Sequence, residues 1–190
     1  MDVHEETTDM WGLDTHLATE RRDLLAAPVS EALDRWKTAA PAADPLVAEI
    51  DPALADTANC CAAYGIPLEA SANCVVISAK RGGTSRMAAC VVLASTRADV
   101  NGVARRHLEA RKASFARQED AVEQAGMEYG GITPVGLPAD WPILVDAAVA
   151  RTPHAVIGSG LRASKLVVSG AALAELPGAV VIEGLGVPAA

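Results

Sequence analysis

At 190 residues the chain has the length of a single domain, and with 51% apolar residues it is too hydrophobic to be disordered. Aromatics are scarce at 3%, so the core must come from small and branched aliphatic side chains, and few rings are available to stack on bases. The formal net charge of −8 conceals an asymmetry, and no run approaches the roughly 18–20 apolar residues of a membrane span.

The first residues, MDVHEETTDMW, are acidic and lack a basic region followed by an apolar stretch. A secretory leader is therefore not expected, and the cytoplasm is the expected compartment. Residues 14–37 place Leu17, Leu24, Leu25, Val29, Leu33 and Trp36 at approximately helical spacing, with Pro28 expected to kink the helix. TAAPAADP (38–45) reads as a connector. The expected organisation is thus an N-terminal helical extension over 1–45 and a main domain over 46–190.

In the main domain, 46–50 reads as a strand. Asp56 or Thr57 caps a helix ending at Tyr64, with Gly65 as its left-handed stop. NCVVIS (73–78) and RMAACVVLAS (86–95) read as an antiparallel hairpin joined by AKRGGTS. A helix capped by Asp99 or Asn101 should run to about 111, then a strand over 113–116 and a helix over 118–125 stopped by Gly126. Apolar runs at 142–149, 155–157 and 165–168, a short helix over 171–176 and a last run at 179–182 close the chain. Strands outnumber helices without alternating regularly. The fold class expected is α+β, a curled mixed and mostly antiparallel sheet, barrel-like, flanked by helices.

Cys60, Cys61, Cys74 and Cys90 form no CxxC pair and fall in helical or strand-like apolar stretches, which marks them as buried thiols. No metal or cofactor is expected. The segment from Lys80 to Arg117 holds Lys80, Arg81, Arg86, Arg97, Arg105, Arg106, Arg111, Lys112 and Arg117 against only Asp99 and Glu109. On an acidic protein this is either a nucleic-acid footprint or a solvated face.

The most unusual stretch is MEYGGITPVGLP. Its glycines let a ligand approach main-chain amides, Pro134 stiffens the far side, and Thr133 offers a hydroxyl beside amides able to polarise a carbonyl. A structural turn is the alternative. Gly158-Ser159-Gly160-Leu161-Arg162 follows a strand but lacks a complete GxGxxG, so it reads as a turn, with Arg162 and Lys165 as phosphate-binding candidates. Asp146 is a carboxylate within PILVDAAV, either a base or a strand-end hydrogen-bonding group. No His–Asp–Ser order and no HExxH helix is present.

The order of these pieces resembles the YbaK/EbsC family, related to prolyl-tRNA synthetase-associated editing domains, over roughly residues 46–182. GGITPVG resembles the family's GxxxP loop, with Gly130 and Pro134 at its fixed ends, and Gly158-Ser159-Gly160 with Arg162 resembles its later glycine motif. The resemblance implies trans-acting, metal-independent hydrolysis of the ester between a wrong, small amino acid and tRNA. The partners it implies are the tRNA acceptor end and an aminoacyl-tRNA synthetase. It assigns catalysis to Asn73, Gly130, Gly131 and Thr133. Substrate binding falls to Ile132, Pro134, Gly136, Asp146, Gly158, Ser159, Gly160 and Arg162, and tRNA contact to Lys80, Arg81, Arg105, Arg106, Arg111, Lys112 and Lys165.

One position departs from the family pattern V-K-[ST]-L-V. Matching the apolar run puts Asn73 where the family has lysine, and Asn brings hydrogen bonds without charge. Lys80 lies seven residues on, an odd offset that turns it to the other strand face. Either the alignment is off by a turn, or the site takes another cation such as Arg162 or Lys165, or deacylation is altered or lost. In the last case the chain is a non-catalytic module binding tRNA, a nucleotide or a protein.

Overall fold

A computed structural model describes residues 10–36 and 44–189; the polar lead over 1–9 and most of the 38–45 connector lie outside them. The N-terminal segment is not one kinked helix. Thr15–Leu17 forms β1, paired antiparallel with β2 (Leu46–Glu49), and the helix α1 occupies only Ala27–Arg35. Pro28 opens α1 rather than kinking it, because the first helical turn needs no amide from it.

Several local expectations hold. Helix α2 (Thr57–Tyr64) is capped by Asp56, whose carboxylate accepts from the Asn59 amide at 3.2 Å, and Gly65 ends it. The hairpin strands β3 (Ala72–Arg81) and β4 (Thr84–Leu93) run ten residues each, so the first is longer than expected and the second begins two residues earlier. Gly82 and Gly83 alone make their turn with φ of 55° and 79°, the doubly left-handed geometry that matches strand twist.

Strands β5 (Thr96–Ala98) and β11 (Gly186–Pro188) pair as a small ribbon that the sequence did not suggest. Asp99 does cap the next helix, accepting from Gly102 and Val103 amides at 3.0 Å, but a π-turn over Val100–Ala104 leads into a short α3 (Arg105–His107). β6 (Lys112–Phe115) and α4 (Gln118–Ala125) follow as expected. The run at 142–149 divides into β7 (Ile143–Asp146) and α5 (Ala147–Ala150). β8 (Ala155–Gly158), β9 (Ser164–Val168), α6 (Gly170–Ala174) and β10 (Ala179–Ile182) complete the chain.

The strands form two main sheets, β1-β2-β9-β8 and β10-β7-β4-β3-β6, rather than one curled sheet or a closed barrel. β7 pairs in parallel with β4 and β10, and the other pairings are antiparallel. A single parallel bridge, Ser71 to Val156, joins the two sheets.

Strand alternation explains the layers. Val76, Val91 and Val145 from one sheet meet Val47, Ile157 and Leu166 from the other in the largest cluster, which α1 and α4 plug with Val29, Leu33, Ala121 and Ala125. The outer face of the five-stranded sheet (Ile77, Cys90, Val92, Leu144) is covered by Val100, Ala104 and Leu108. The outer face of the four-stranded sheet (Ala48, Val156, Val167) is covered by α2 through Cys60 and Cys61. The described N-terminal residues thus share the main core.

Candidate functional site

A cleft of about 350 Å³ opens where the two sheets come together at the Ser71–Val156 bridge. The N-terminus of α2 (Asp56, Thr57), the start of β3 (Asn73, Cys74, Val75), the end of β8 (Ile157, Gly158), Lys165 and the loop residues Tyr129, Gly130 and Ile132 line it. The sequence candidates Asn73, Gly130, Ile132, Gly158 and Lys165 therefore meet in one place.

Among the described residues, Lys165 is the only lysine or arginine lining this cleft. In β9 it alternates with Leu166, so while Leu166 enters the inter-sheet core, Lys165 points toward α2. Its Nζ donates to the Ala55 carbonyl at 3.1 Å, it is 8% exposed, and none of the ion pairs among the described residues includes it. Burial pushes its pKa below the usual 10.5. A buried ammonium with one carbonyl partner has donors to spare for an incoming oxygen.

Asn73 lies beside Thr57, whose hydroxyl donates to Asn73 Oδ1 at 2.7 Å. Cys74 lines the same wall, and burial raises its thiol well above the ordinary range, as it raises Cys90 to about 12. Neither is a ready nucleophile. Among the described residues, no cluster of three or more His, Cys, Asp or Glu is suited to a metal.

The two glycine segments lie back to back. The Gly160 amide donates to the Gly131 carbonyl at 2.7 Å, and the Glu128 amide donates to the Gly160 carbonyl at 2.8 Å. A Cβ on Gly158 would stand 2.5 Å from the Gly131 carbonyl oxygen, and one on Gly131 would stand 2.8 Å from the Leu161 backbone. These glycines are needed for close backbone approach. The Gly131 amide is committed to the Glu128 carbonyl at 3.0 Å, which removes it from any carbonyl-polarising role.

Arg162 is a brace. Its guanidinium donates to the Tyr129 and Pro52 carbonyls at 3.1 and 3.2 Å, and its backbone amide donates to Glu128 at 3.0 Å. Ser159 is fully buried and bonded to Ser164 Oγ at 2.7 Å, so it too holds the turn.

Other candidates lie elsewhere. Thr133 is fully buried, does not line the cleft, and its hydroxyl has no partner among the described residues. Pro134 and Gly136 line a separate hollow of about 360 Å³ with Pro28, Trp36 and Leu176. Asp146 is buried at the end of β7, with Oδ2 3.1 Å from where a Gly186 Cβ would sit. The basic residues gather toward the far end of the β3–β4 hairpin, where Arg81 pairs with Glu109 at 2.9 Å and Arg105 donates to the Asn101 carbonyl. Lys80, cross-strand from Lys112, is seven residues from Asn73, about 23 Å along the strand. Arg106 and Arg111 are exposed nearby.

The sequence profile of the aminoacyl-tRNA editing domain matches residues 51–176. The chain belongs to this family. Among solved structures, this editing domain is similar to a candidate trans-editing enzyme for prolyl tRNA synthetase: 22% identity, TM-score 0.68, covering 83% of this chain and 94% of that one. It is also similar to hypothetical protein APE2540, with 21% identity, TM-score 0.70, and coverage of 84% and 99%. A signal transduction candidate from Marinobacter aquaeolei VT8 matches at 16% identity and TM-score 0.54, over 86% of this chain and 31% of that one. At these identities the likeness is one of fold. No curated protein matches the sequence significantly. Among the described residues, no helix of the editing domain is long and apolar enough to cross a membrane.

Reading by sequence missed Thr57 as more than a cap and missed Tyr129, which is 59% exposed at the cleft rim. An aromatic beside GG was a signal for Tyr129. Thr57 had none, because its partner Asn73 is sixteen residues away.

Proposed function

We propose that the cleft binds the aminoacylated 3′ end of tRNA and hydrolyses the ester in trans. The observation that carries this reading is Lys165, a buried cation without a carboxylate partner among the described residues, beside Asn73 and the glycine loop. Where the family pattern has lysine on β3, this chain has Asn73, and the ammonium enters the same cleft from β9.

In this reading the ester carbonyl oxygen takes a hydrogen bond from Lys165. Water attacks the carbonyl carbon, negative charge develops on that oxygen, and the tetrahedral centre collapses by releasing the ribose oxygen, which takes up a proton. Free amino acid and tRNA result. An aminoacyl ester is already activated, so positioning and charge stabilisation supply much of the rate. Small side chains are favoured because Ala72, Val75, Val156 and Ile157 crowd the cleft, and a size sieve rejects bulk better than a missing methylene. Tyr129 at the rim offers a face to the terminal base. Lys80 and Lys112 face one another across β3 and β6, and their mutual repulsion favours an intervening phosphate of the acceptor stem. The rigid placement of residues 128–131 against 158–162 holds the pocket's shape.

The test is incubation of the purified protein with tRNAs mischarged with Ala, Cys, Pro or Ser. Hydrolysis of at least one above background supports the reading, and hydrolysis of none contradicts it. A non-catalytic binding module is the second reading, carried by the neutral Asn73; it predicts tRNA binding without turnover.

A further inference from the structure

Helix α2 begins inside the cleft, and the residues at its start hold two polar side chains from two different sheets, one as donor and one as acceptor. The Ala55 carbonyl accepts from the Lys165 ammonium at 3.1 Å. Two residues on, the Thr57 hydroxyl donates to Asn73 Oδ1 at 2.7 Å. A carboxamide carries its acceptor oxygen and its NH₂ donor on opposite arms of one planar carbon, so fixing the oxygen also fixes where the donor points. The strand pairing does not do this for Asn73, because its neighbour across the ladder is Val92, which has no polar side-chain atom.

Thr57 itself stands on a rigid element. Asp56 caps the helix by accepting from the Asn59 amide, and the next turn is anchored by buried Cys60 and Cys61. Placement of the hydroxyl is therefore inherited from packing rather than from rotamer freedom.

We propose that Thr57 is a positioning residue that turns the Asn73 amide into a hydrogen-bond donor toward the cleft, so that Asn73 Nδ2 and Lys165 Nζ together read two acceptor oxygens of the ligand. In an aminoacyl-ribose these are the ester carbonyl and a neighbouring ribose oxygen. The inference rests on the aminoacyl-ester reading of the cleft and deepens it by naming what orients the residue standing at the family's lysine position. Without the Thr57 hydroxyl, the amide populates both orientations, and one of them sets Oδ1 against a ligand oxygen, which is repulsive.

The test measures binding of 3′-amide-linked alanyl-, cysteinyl-, prolyl- and seryl-adenosine by calorimetry, alongside single-turnover deacylation of the corresponding aminoacyl-tRNAs, with the variants compared on whichever analogue the wild type binds. Variants are Thr57→Ser, Thr57→Val, Asn73→Ala, Asn73→Asp and the double variant Thr57→Val/Asn73→Ala. Thr57→Val should weaken analogue binding about tenfold, the scale of one lost hydrogen bond, and Thr57→Ser should stay within about twofold. The double variant should bind no more weakly than Asn73→Ala alone, as a residue acting only through Asn73 requires. Asn73→Asp keeps the acceptor for Thr57 but replaces the donor with a charged oxygen, so it should bind no better than Asn73→Ala even if Thr57→Val folds poorly. Additive losses, or wild-type affinity in Thr57→Val or Asn73→Asp, overturn the proposal. A wild type that binds the analogue but cleaves no ester overturns the deacylase reading alone, and the binding cycle still decides the role of Thr57. A wild type that binds no analogue overturns both.

Discussion

Lys165 Nζ stands 3.1 Å from the carbonyl oxygen of Ala55 at the cleft wall, with only 8% of the lysine exposed. Desolvation of a charge is costly, and one neutral carbonyl does not offset it fully. Lys165→Met keeps the stem's packing and removes the charge. It should leave stability at neutral pH unchanged or raise it by up to roughly 2 kcal/mol, as functional residues often do when replaced. Urea unfolding of the two proteins checks this, and a clear loss of stability would mean the ammonium is structural.

The lowered pKa of Lys165 gives this difference a pH dependence. Below the lowered folded value both states are protonated, and the native state bears the full cost. Between that value and the unfolded value near 10.5, the unfolded chain binds more protons, so wild-type stability rises with pH relative to Lys165→Met. Deacylation has the opposite trend. If the ammonium stabilises the oxyanion, the enzymatic rate above the spontaneous rate falls as pH climbs through the lowered value. Paired denaturation and rate profiles from pH 7 to 10 test both signs.

Thr133 is fully buried and its hydroxyl has no partner among the described residues, so Thr133→Val replaces a polar atom that gains no hydrogen bond from them. Activity should persist, and stability should be unchanged or higher by about 1 kcal/mol. Loss of turnover without loss of folding would show that the hydroxyl acts in the reaction.

Gly158 has no room for a methyl group, because its Cβ would sit 2.5 Å from the Gly131 carbonyl oxygen. Gly158→Ala should destabilise by about 1–3 kcal/mol and raise KM, since the loop carrying Gly130 and Ile132 must shift. Thermal melting and steady-state kinetics read the two effects separately.

Tyr129 and the Lys80–Lys112 pair make different predictions for tRNA. Tyr129→Ala should raise KM about tenfold while Tyr129→Phe stays near wild type, as base stacking of roughly 1–3 kcal/mol implies. Lys80→Gln/Lys112→Gln should weaken tRNA binding and flatten its dependence on log salt by about 0.7–0.9, the share of one phosphate. An unchanged slope would place the acceptor stem elsewhere.

The local punctuation of this fold was legible in the sequence. Asp56, Gly65, Asp99 and Gly126 mark helix ends through short-range chemistry, and the structure places the helix ends there. The N-terminal strand was not legible, since Thr15–Leu17 is a strand only because β2 lies beside it. The division into two sheets also escaped, because no local pattern states which strands pair. Of the glycine motifs, Gly130 and Gly158 line one wall of the cleft. Their residues could not be sorted by role, because Gly131, Ser159 and Arg162 are held by contacts across the fold. Lys165 stood beside Arg162 as a substitute cation, and the sequence could not choose between them because the burial of Lys165 depends on α2, more than a hundred positions earlier.

The most direct measurement is amino-acid release from tRNAs mischarged with Ala, Cys, Pro or Ser, by wild type and Lys165→Met under single-turnover conditions. Wild type should clear at least one substrate, and Lys165→Met, while folded, should be slower by roughly 100- to 1,000-fold, the usual effect of removing an oxyanion donor. Equal rates in the two proteins would contradict this.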